Sequence, residues 1–235
     1  MLRFTNPTCQ SCPHRSNPLM GCCALEELDF VTANKVTQHY QKGQIIYQEG
    51  SPAVGLFCVY QGKIKLSKAG GDNKEQIVHL FREGDVLGYR ALLAGTRYTS
   101  SAVALEDCVV CMVPRPDFLR LVQANMQFST ALMQLLARSL GIAEQRMLHL
   151  AYKPVRERLA GALLFVMETF RREGEELPFR MALGREDLAA LVGTAKETVS
   201  RLLSELKEMG IIATRGSQIT ILKPNRLVEI STMYD

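Results

Sequence analysis

Short apolar and alternating runs recur from about Gln38 to Pro114. They are Ile45–Tyr47, Leu56–Tyr60, Lys63–Leu66, Gln76–Leu80 and Cys108–Val113, punctuated by glycines such as Gly43, Gly50, Gly62, Gly84 and Gly95. Short strands at regular intervals with glycine turns predict an all-β roll, barrel or sandwich. From Arg115 to Tyr152 the period becomes helical. Pro116 suits a helix start and Asp117 its first turn. Met133, Leu136, Leu140, Ala143, Met147 and Leu150 then follow at spacings of three and four, an a/d stripe over about two and a half heptads. Leu132, Leu135 and Ile142 lie off that stripe, so the helix has one apolar face for its own domain and another for a partner helix. Pro154 kinks or ends it. Leu159, Leu163, Val166 and Phe170 mark a further helix over Val155–Arg171, followed by a polar loop at 173–176 and a short strand at Arg180–Leu183. The first 28 residues have little periodicity, three prolines and four cysteines, and read as a loop that needs something to organise it. The predicted divisions are a cysteine-rich loop over 1–28, a β domain over 29–115, a dimerisation helix over 116–153 and a second small domain over 154–235.

The strongest chemical signal lies in the last division. Arg185–Val192 reads as a two-turn helix with Leu188, Leu191 and Val192 inward. Gly193 marks the turn, because glycine enters the left-handed region without a Cβ penalty. The next helix buries Val199, Leu202, Leu203 and Leu206. Two short helices joined in this way form a helix-turn-helix, whose second helix presents its N-terminal residues to base edges in the major groove. Those residues are Lys196, Glu197, Thr198, Ser200 and Arg201. Glu197, Ser200 and Arg201 stand at i, i+3 and i+4 and share one face. Arginine can donate two hydrogen bonds to guanine and glutamate can accept from cytosine. Ile211–Ile221 contains two apolar strands around Arg215-Gly216-Ser217, a hairpin wing with Arg215 placed for phosphate. The expected partner is double-stranded DNA.

Composition adds limits. The chain has 235 residues, 47% apolar and 22% charged, with a net charge of +4. Those proportions fit a globular protein and exclude disordered, collagen-like and small disulfide-stapled classes. No apolar run approaches the roughly 18 residues of a membrane span, and Met1–Asn17 lacks a signal-peptide core, so a cytoplasmic protein without a membrane partner is expected. The charge is too small to argue for nucleic acid by itself. No nucleophile–base pair or phosphate loop points to an enzyme. Seven cysteines, Cys9, Cys12, Cys22, Cys23, Cys58, Cys108 and Cys111, are the odd feature. In a cytosolic protein they argue for metal or redox chemistry rather than a disulfide framework.

A β-roll, a long dimer helix and a C-terminal winged helix-turn-helix, in that order, resemble the CRP/FNR superfamily of bacterial transcription regulators. The resemblance spans about Thr8 to Leu227. It is carried by Lys42-Gly43-Gln44-Ile45-Ile46-Tyr47-Gln48-Glu49-Gly50, Gly62-Lys63-Ile64-Lys65, Glu157-Arg158-Leu159-Ala160 and Glu197-Thr198-Val199-Ser200-Arg201. The last is similar to the recognition helix of the FNR branch. The resemblance implies an α+β fold with a cyclic-nucleotide-binding-like β-roll (jelly-roll). It also implies a homodimer on inverted repeats with TTGAT-like half-sites, and RNA polymerase as a partner. Where the cyclic-nucleotide branch has Gly-Glu and Arg-Ser pairs, this chain has Gly88-Tyr89 and Thr99-Ser100-Ser101. A phosphate pocket without its arginine loses the bidentate clamp, so no cyclic nucleotide is expected.

The FNR branch senses oxygen, nitric oxide or redox state with a [4Fe-4S] cluster held by three cysteines of an N-terminal loop and one of the roll. By resemblance the ligands here are Cys9, Cys12, Cys22 and Cys111, with Cys23 an alternative to Cys22. The third cysteine follows at a longer interval than the family usually shows, and it is doubled. Cys9-x2-Cys12 lets two thiolates meet one cluster. The alternatives are a structural zinc site on Cys9, Cys12, Cys22 and Cys23, which His14 could join, a thiol switch, and haem or another effector in the roll. Cys58 reads as a small core hydrophobe, and Cys108 faces away from Cys111 along its strand.

Overall fold

The computed structural model describes residues 7–71, 74–172 and 174–233. The expected polar loop therefore loses Glu173, and the 1–28 loop its first six residues, which lie outside the described part. The chain forms two compact units: one from the N-terminal segment to Lys68 together with Phe81–Gly141, the other Ala69–Leu80 together with Ile142 onward.

In the first unit the cysteine-rich segment is a series of turns to Cys23, after which α1 (Leu25–Asn34) begins. The periodicity did not foretell this helix. It starts because the Glu27 carboxylate accepts the Ala24 N–H at 2.8 Å, and because Glu26 and Glu27 sit at the positive end of the helix. Leu28 and Val31 anchor it. The roll consists of β1 (Val36–Tyr40), β2 (Ile45–Tyr47), β3 (Gly55–Gln61), β4 (Ile64–Ala69), β5 (Glu75–Phe81), β6 (Val86–Leu87), β7 (Ser101–Ala104) and β8 (Cys108–Pro114), with α2 (Tyr89–Ala94) between β6 and β7; of these, β5 as far as Leu80 falls in the second unit. They form two four-stranded sheets, ordered β1-β8-β3-β6 and β2-β7-β4-β5. Both faces of the sheet that holds β3 and β8 are covered: Leu56 and Val113 are buried on one face and Val59 and Val110 on the other, while in the second sheet the alternate residues Ile64, Leu66, Ala102 and Ala104 are buried.

One end of the roll is aromatic. Tyr47 stacks on Tyr98 at 4.0 Å and lies against Phe57 at 5.3 Å. The Tyr98 hydroxyl donates to the Gly55 carbonyl at 3.0 Å and accepts from the Val54 N–H at 3.2 Å. A Cβ on Gly55 would stand 2.4 Å from the Val113 carbonyl oxygen. Backbone cannot swing aside like a side chain. Gly55→Ala is therefore expected to destabilise the roll by about 1–3 kcal/mol, read as a lowered midpoint in thermal melts; an unchanged midpoint would contradict the close approach.

The single helix expected over 116–153 is two, α3 (Arg115–Ala124) and α4 (Met126–Tyr152). Asn125 breaks it. Its backbone is extended, its Oδ1 accepts the Phe128 N–H at 2.9 Å as an N-terminal cap, and its Nδ2 donates to Glu27 at 2.8 Å and to the Cys22 carbonyl at 3.3 Å. Phe118 and Phe128 meet edge to face, both fully buried. On α4 the off-stripe Leu132 is buried, while stripe residues Met133, Leu140 and Met147 are 61%, 61% and 63% exposed.

The second unit has α5 (Val155–Phe170), β9 (Phe179–Ala182), α6 (Arg185–Val192), α7 (Lys196–Glu208), β10 (Ile212–Arg215), β11 (Gln218–Ile221) and α8 (Pro224–Ser231). The strands form one antiparallel sheet, β10-β11-β9. Leu159, Leu163, Leu188, Val199, Leu203, Ile219 and Leu227 make its core.

Candidate functional site: DNA-reading helix and thiol pocket

Gly193 ends α6 at φ 72° and turns the chain into α7. The apolar face of α7 (Val199, Leu202, Leu203 and Leu206) is buried, which pins the helix and leaves the opposite face outward. Lys196, Glu197, Ser200 and Arg201 are exposed on it, and Thr198 is half-buried. Ser200 Oγ donates to the Lys196 carbonyl at 2.9 Å. Lys196 Nζ lies 2.6 Å from Glu186, a hydrogen bond that raises the lysine pKa and keeps it charged. Arg201 pairs with Glu205 one turn on. Solvent and salt screen exposed pairs of this kind, so both cations can exchange their carboxylates for phosphate or base edges. The wing follows as β10 and β11, joined opposite Arg215↔Gln218, with Arg215 exposed at its tip. Arg185, which the sequence did not single out, donates to the Gly216 carbonyl and ties the wing to α6.

The cysteines fall into distinct environments. Cys9, Cys12, Cys58 and Cys111 line one small cavity of ≈50 Å³, with His14, Asn17 and Lys35. Two hydrogen bonds close the loop over it: His14 Nε2 meets the Tyr60 carbonyl at 2.9 Å, and Asn17 donates to the Gly84 carbonyl. The Cys9 N–H donates to Thr32 at 2.9 Å. Cys111 is buried, with Lys35 Nζ at 3.5 Å and Thr37 Oγ1 at 3.6 Å from its sulfur. Lys35 is itself buried and brings a cation to the thiols, a neighbour that sequence patterning gave no sign of. Cys58, read as a core hydrophobe, lies directly opposite Cys111 in the β3–β8 register and faces the same cavity. Only strand pairing could reveal this.

Cys22 and Cys23 stand beside this cavity without lining it. Cys22 Sγ bonds to the Leu19 carbonyl at 3.0 Å. Cys23 is buried; burial pushes its thiol up to about 12, with repulsion from Cys22, Glu27 and Cys9 adding to it. Burial also raises the thiols of Cys12, Cys22 and Cys58. Cys108 is separate, held by the carbonyls of Lys63 and Glu106 at 3.3 and 3.1 Å. Among the described residues, no three histidine, cysteine or acidic side chains already stand at metal-binding distances. The donor set nevertheless suits an iron–sulfur cluster. Three of the four expected ligands converge, all are thiols, and a buried cation offsets their charge.

Where the sequence has Gly88-Tyr89, Tyr89 is buried, and its hydroxyl lies 3.0 Å from Ser139 Oγ. Arg97 donates to the Gly50 carbonyl at 2.9 Å, and Ser100 is buried.

Residues 37–125 match the cyclic nucleotide-binding domain family and residues 157–230 the Crp-like helix-turn-helix domain family. The chain is 30% identical over 217 residues to the cyclic AMP receptor protein of Thermus thermophilus, covering 92% of this chain and 98% of that one. It is 30% identical over 209 residues to the anaerobic regulatory protein of Pasteurella multocida, covering 88% and 75%. Among solved structures, FixK2 from Bradyrhizobium japonicum is similar at 31% identity and a TM-score of 0.73, covering 83% of this chain and 96% of that one.

Proposed function

From the premise that this chain belongs to the CRP/FNR family of DNA-binding transcription regulators and is not an enzyme, we propose that it is an FNR-like sensor of oxygen, nitric oxide or redox state. It binds a [4Fe-4S] cluster and reads inverted-repeat TTGAT-like operators as a homodimer. The observation that carries this reading is the convergence of Cys9, Cys12 and Cys111 on one cavity, although the loop and strand β8 lie far apart in sequence. When bound, the cluster supplies an iron–sulfur centre labile to oxygen and nitric oxide. The chain's residues supply the rest. Cys9, Cys12 and Cys111, with Cys22 or Cys23, are its ligands. Lys35 offsets thiolate charge. Asn125 connects the Cys22 carbonyl to the start of α4, so the state of the loop is felt by the helix that carries the dimer stripe. Glu197, Ser200 and Arg201 read bases, and Lys196, Thr198 and Arg215 hold phosphates. RNA polymerase is the partner such a regulator would engage.

A zinc site on Cys9, Cys12, Cys22 and Cys23 has less support, because it omits Cys111, which lines the cavity with Cys9 and Cys12, and needs both Cys22 and Cys23, neither of which lines it. Anaerobic purification separates the readings. A brown protein with a broad absorbance near about 400 nm that bleaches in air is expected; a sharp Soret band would indicate haem, and a colourless zinc protein would overturn the cluster.

The dimer seam is Met133, Leu136, Leu140, Ala143, Met147 and Leu150. No acidic residue stands on it to push two copies apart, so the metal-free chain is expected to remain a dimer. Sedimentation of the aerobic protein as a clean monomer would contradict this.

A further inference from the structure

The second unit holds a cavity of ≈420 Å³ bounded by the end of α4, by α5, by the end of α6, by the C-terminal end of α8 and by Gln76 and Ile77. Most of its wall is apolar, with Ile77, Ile142, Leu150, Ala162, Phe165 and Leu191 among the lining residues. Into this wall α5 places Glu157, which is 3% exposed and whose two carboxylate oxygens have no hydrogen-bond partner. The Nε of the next residue, Arg158, is also buried and unpartnered. Buried polar groups in native proteins find partners, and a buried carboxylate without a donor is strongly disfavoured. One water needs only about 10–15 Å³ of such space, so the volume is far beyond what one or two bridging waters require.

The occupant must meet three conditions: donate to Glu157, accept from Arg158 and cover an apolar wall. A plain cation fails, because Arg146, Lys153 and Arg158 line the same cavity. A plain anion fails, because it would meet Glu157. A zwitterion with an apolar body meets all three. We propose that this cavity binds a free apolar α-amino acid. Its ammonium, with three donors, sits on Glu157; its carboxylate takes the Arg158 guanidinium edge; its side chain lies against Ile77, Leu150 and Phe165. Arg146 keeps the aromatic wall in place: its guanidinium stands 4.3 Å over the Phe165 ring and donates to the Val78 carbonyl. Gln76 Nε2 donates to the Leu191 carbonyl at 3.3 Å, so the occupant lies beside α6, the first helix of the DNA-reading pair.

The test is equilibrium dialysis of the full metal-free chain with radiolabelled L-leucine and L-phenylalanine. The competitors are 3-phenylpropionate, which lacks the ammonium, and phenethylamine, which lacks the carboxylate. At least one amino acid is expected to bind once per chain, with each analogue at least about tenfold weaker as a competitor, since each loses a charged hydrogen bond. Glu157→Gln is expected to weaken binding by a similar factor with an unchanged circular-dichroism spectrum. Where that variant fails to fold, the analogue series on the wild-type chain decides. Failure to retain either amino acid at millimolar concentration overturns the proposal. So does displacement by 3-phenylpropionate as effective as by unlabelled L-phenylalanine. The site shares no residue with the thiol pocket, so the result is independent of iron content.

Discussion

Arg201→Ala is expected to weaken binding to the inverted-repeat operator by at least about 30-fold. One bidentate arginine–guanine contact contributes about 1–3 kcal/mol of discrimination, and a homodimer loses it in both half-sites, about 2–6 kcal/mol in all. The variant should fold normally. Arg201 is exposed on α7, and its pair with Glu205 is a surface i,i+4 contact worth about 0.3–0.5 kcal/mol. Lysine should not restore the operator, because an ammonium cannot present the planar fork. Affinity for unrelated DNA should fall far less, since the phosphate contacts proposed for Lys196 and Arg215 would remain. Mobility shifts with operator and scrambled duplexes at one fixed salt concentration measure both. Equal losses on the two duplexes would reduce Arg201 to a phosphate contact and remove the proposed base readout.

Cys111→Ala is expected to abolish anaerobic iron uptake, and Cys108→Ala to leave it intact. The two residues share a strand but not a face. Cys111 lines the thiol cavity beside Lys35, whereas Cys108 bonds to the carbonyls of Lys63 and Glu106. Iron and sulfide assays on the two purified variants make the comparison. Full iron content in Cys111→Ala would end the four-ligand assignment. Cys22→Ala and Cys23→Ala, assayed in the same way, identify the third loop ligand. Loading also has a direction with pH. Burial raises the thiols of Cys12, Cys22 and Cys23 above their ordinary value, so these residues hold their protons in the metal-free chain at neutral pH. Ligation by Cys12 and by whichever of Cys22 and Cys23 completes the set must displace those protons, so uptake should become more favourable as pH rises.

Much of this molecule depends on neighbours three or four residues apart, and that part is legible in the chain. The stripe from Met133 to Leu150, the turn at Gly193 and the outward face of Lys196–Arg201 all follow from helical periodicity, because burial of one face dictates exposure of the other. The glycine-punctuated strands likewise gave the β-roll its outline. Elements whose ends are set by single side-chain contacts were less legible. Helix α1 follows a cysteine-rich stretch, and the Glu27 carboxylate on the Ala24 N–H sets its start. The break at Asn125 lies inside an otherwise continuous helical pattern. It exists because that side chain caps α4 and reaches Glu27 and the Cys22 carbonyl.

The order of the parts, the outward face of the second helix-turn-helix helix and the supply of thiols are all written in the chain. Which thiols meet was decided by the tertiary structure. The β3–β8 register sets Cys58 opposite Cys111, the loop's bonds to Tyr60 and Gly84 bring Cys9 and Cys12 over them, and Lys35 arrives from the segment after α1. The same holds for Glu157. Its place on an amphipathic helix gives no sign of an unpartnered carboxylate, which only the walls around it create. The physical reason is common to both: periodicity records which side of an element is buried, whereas a site depends on what distant segments place against that side.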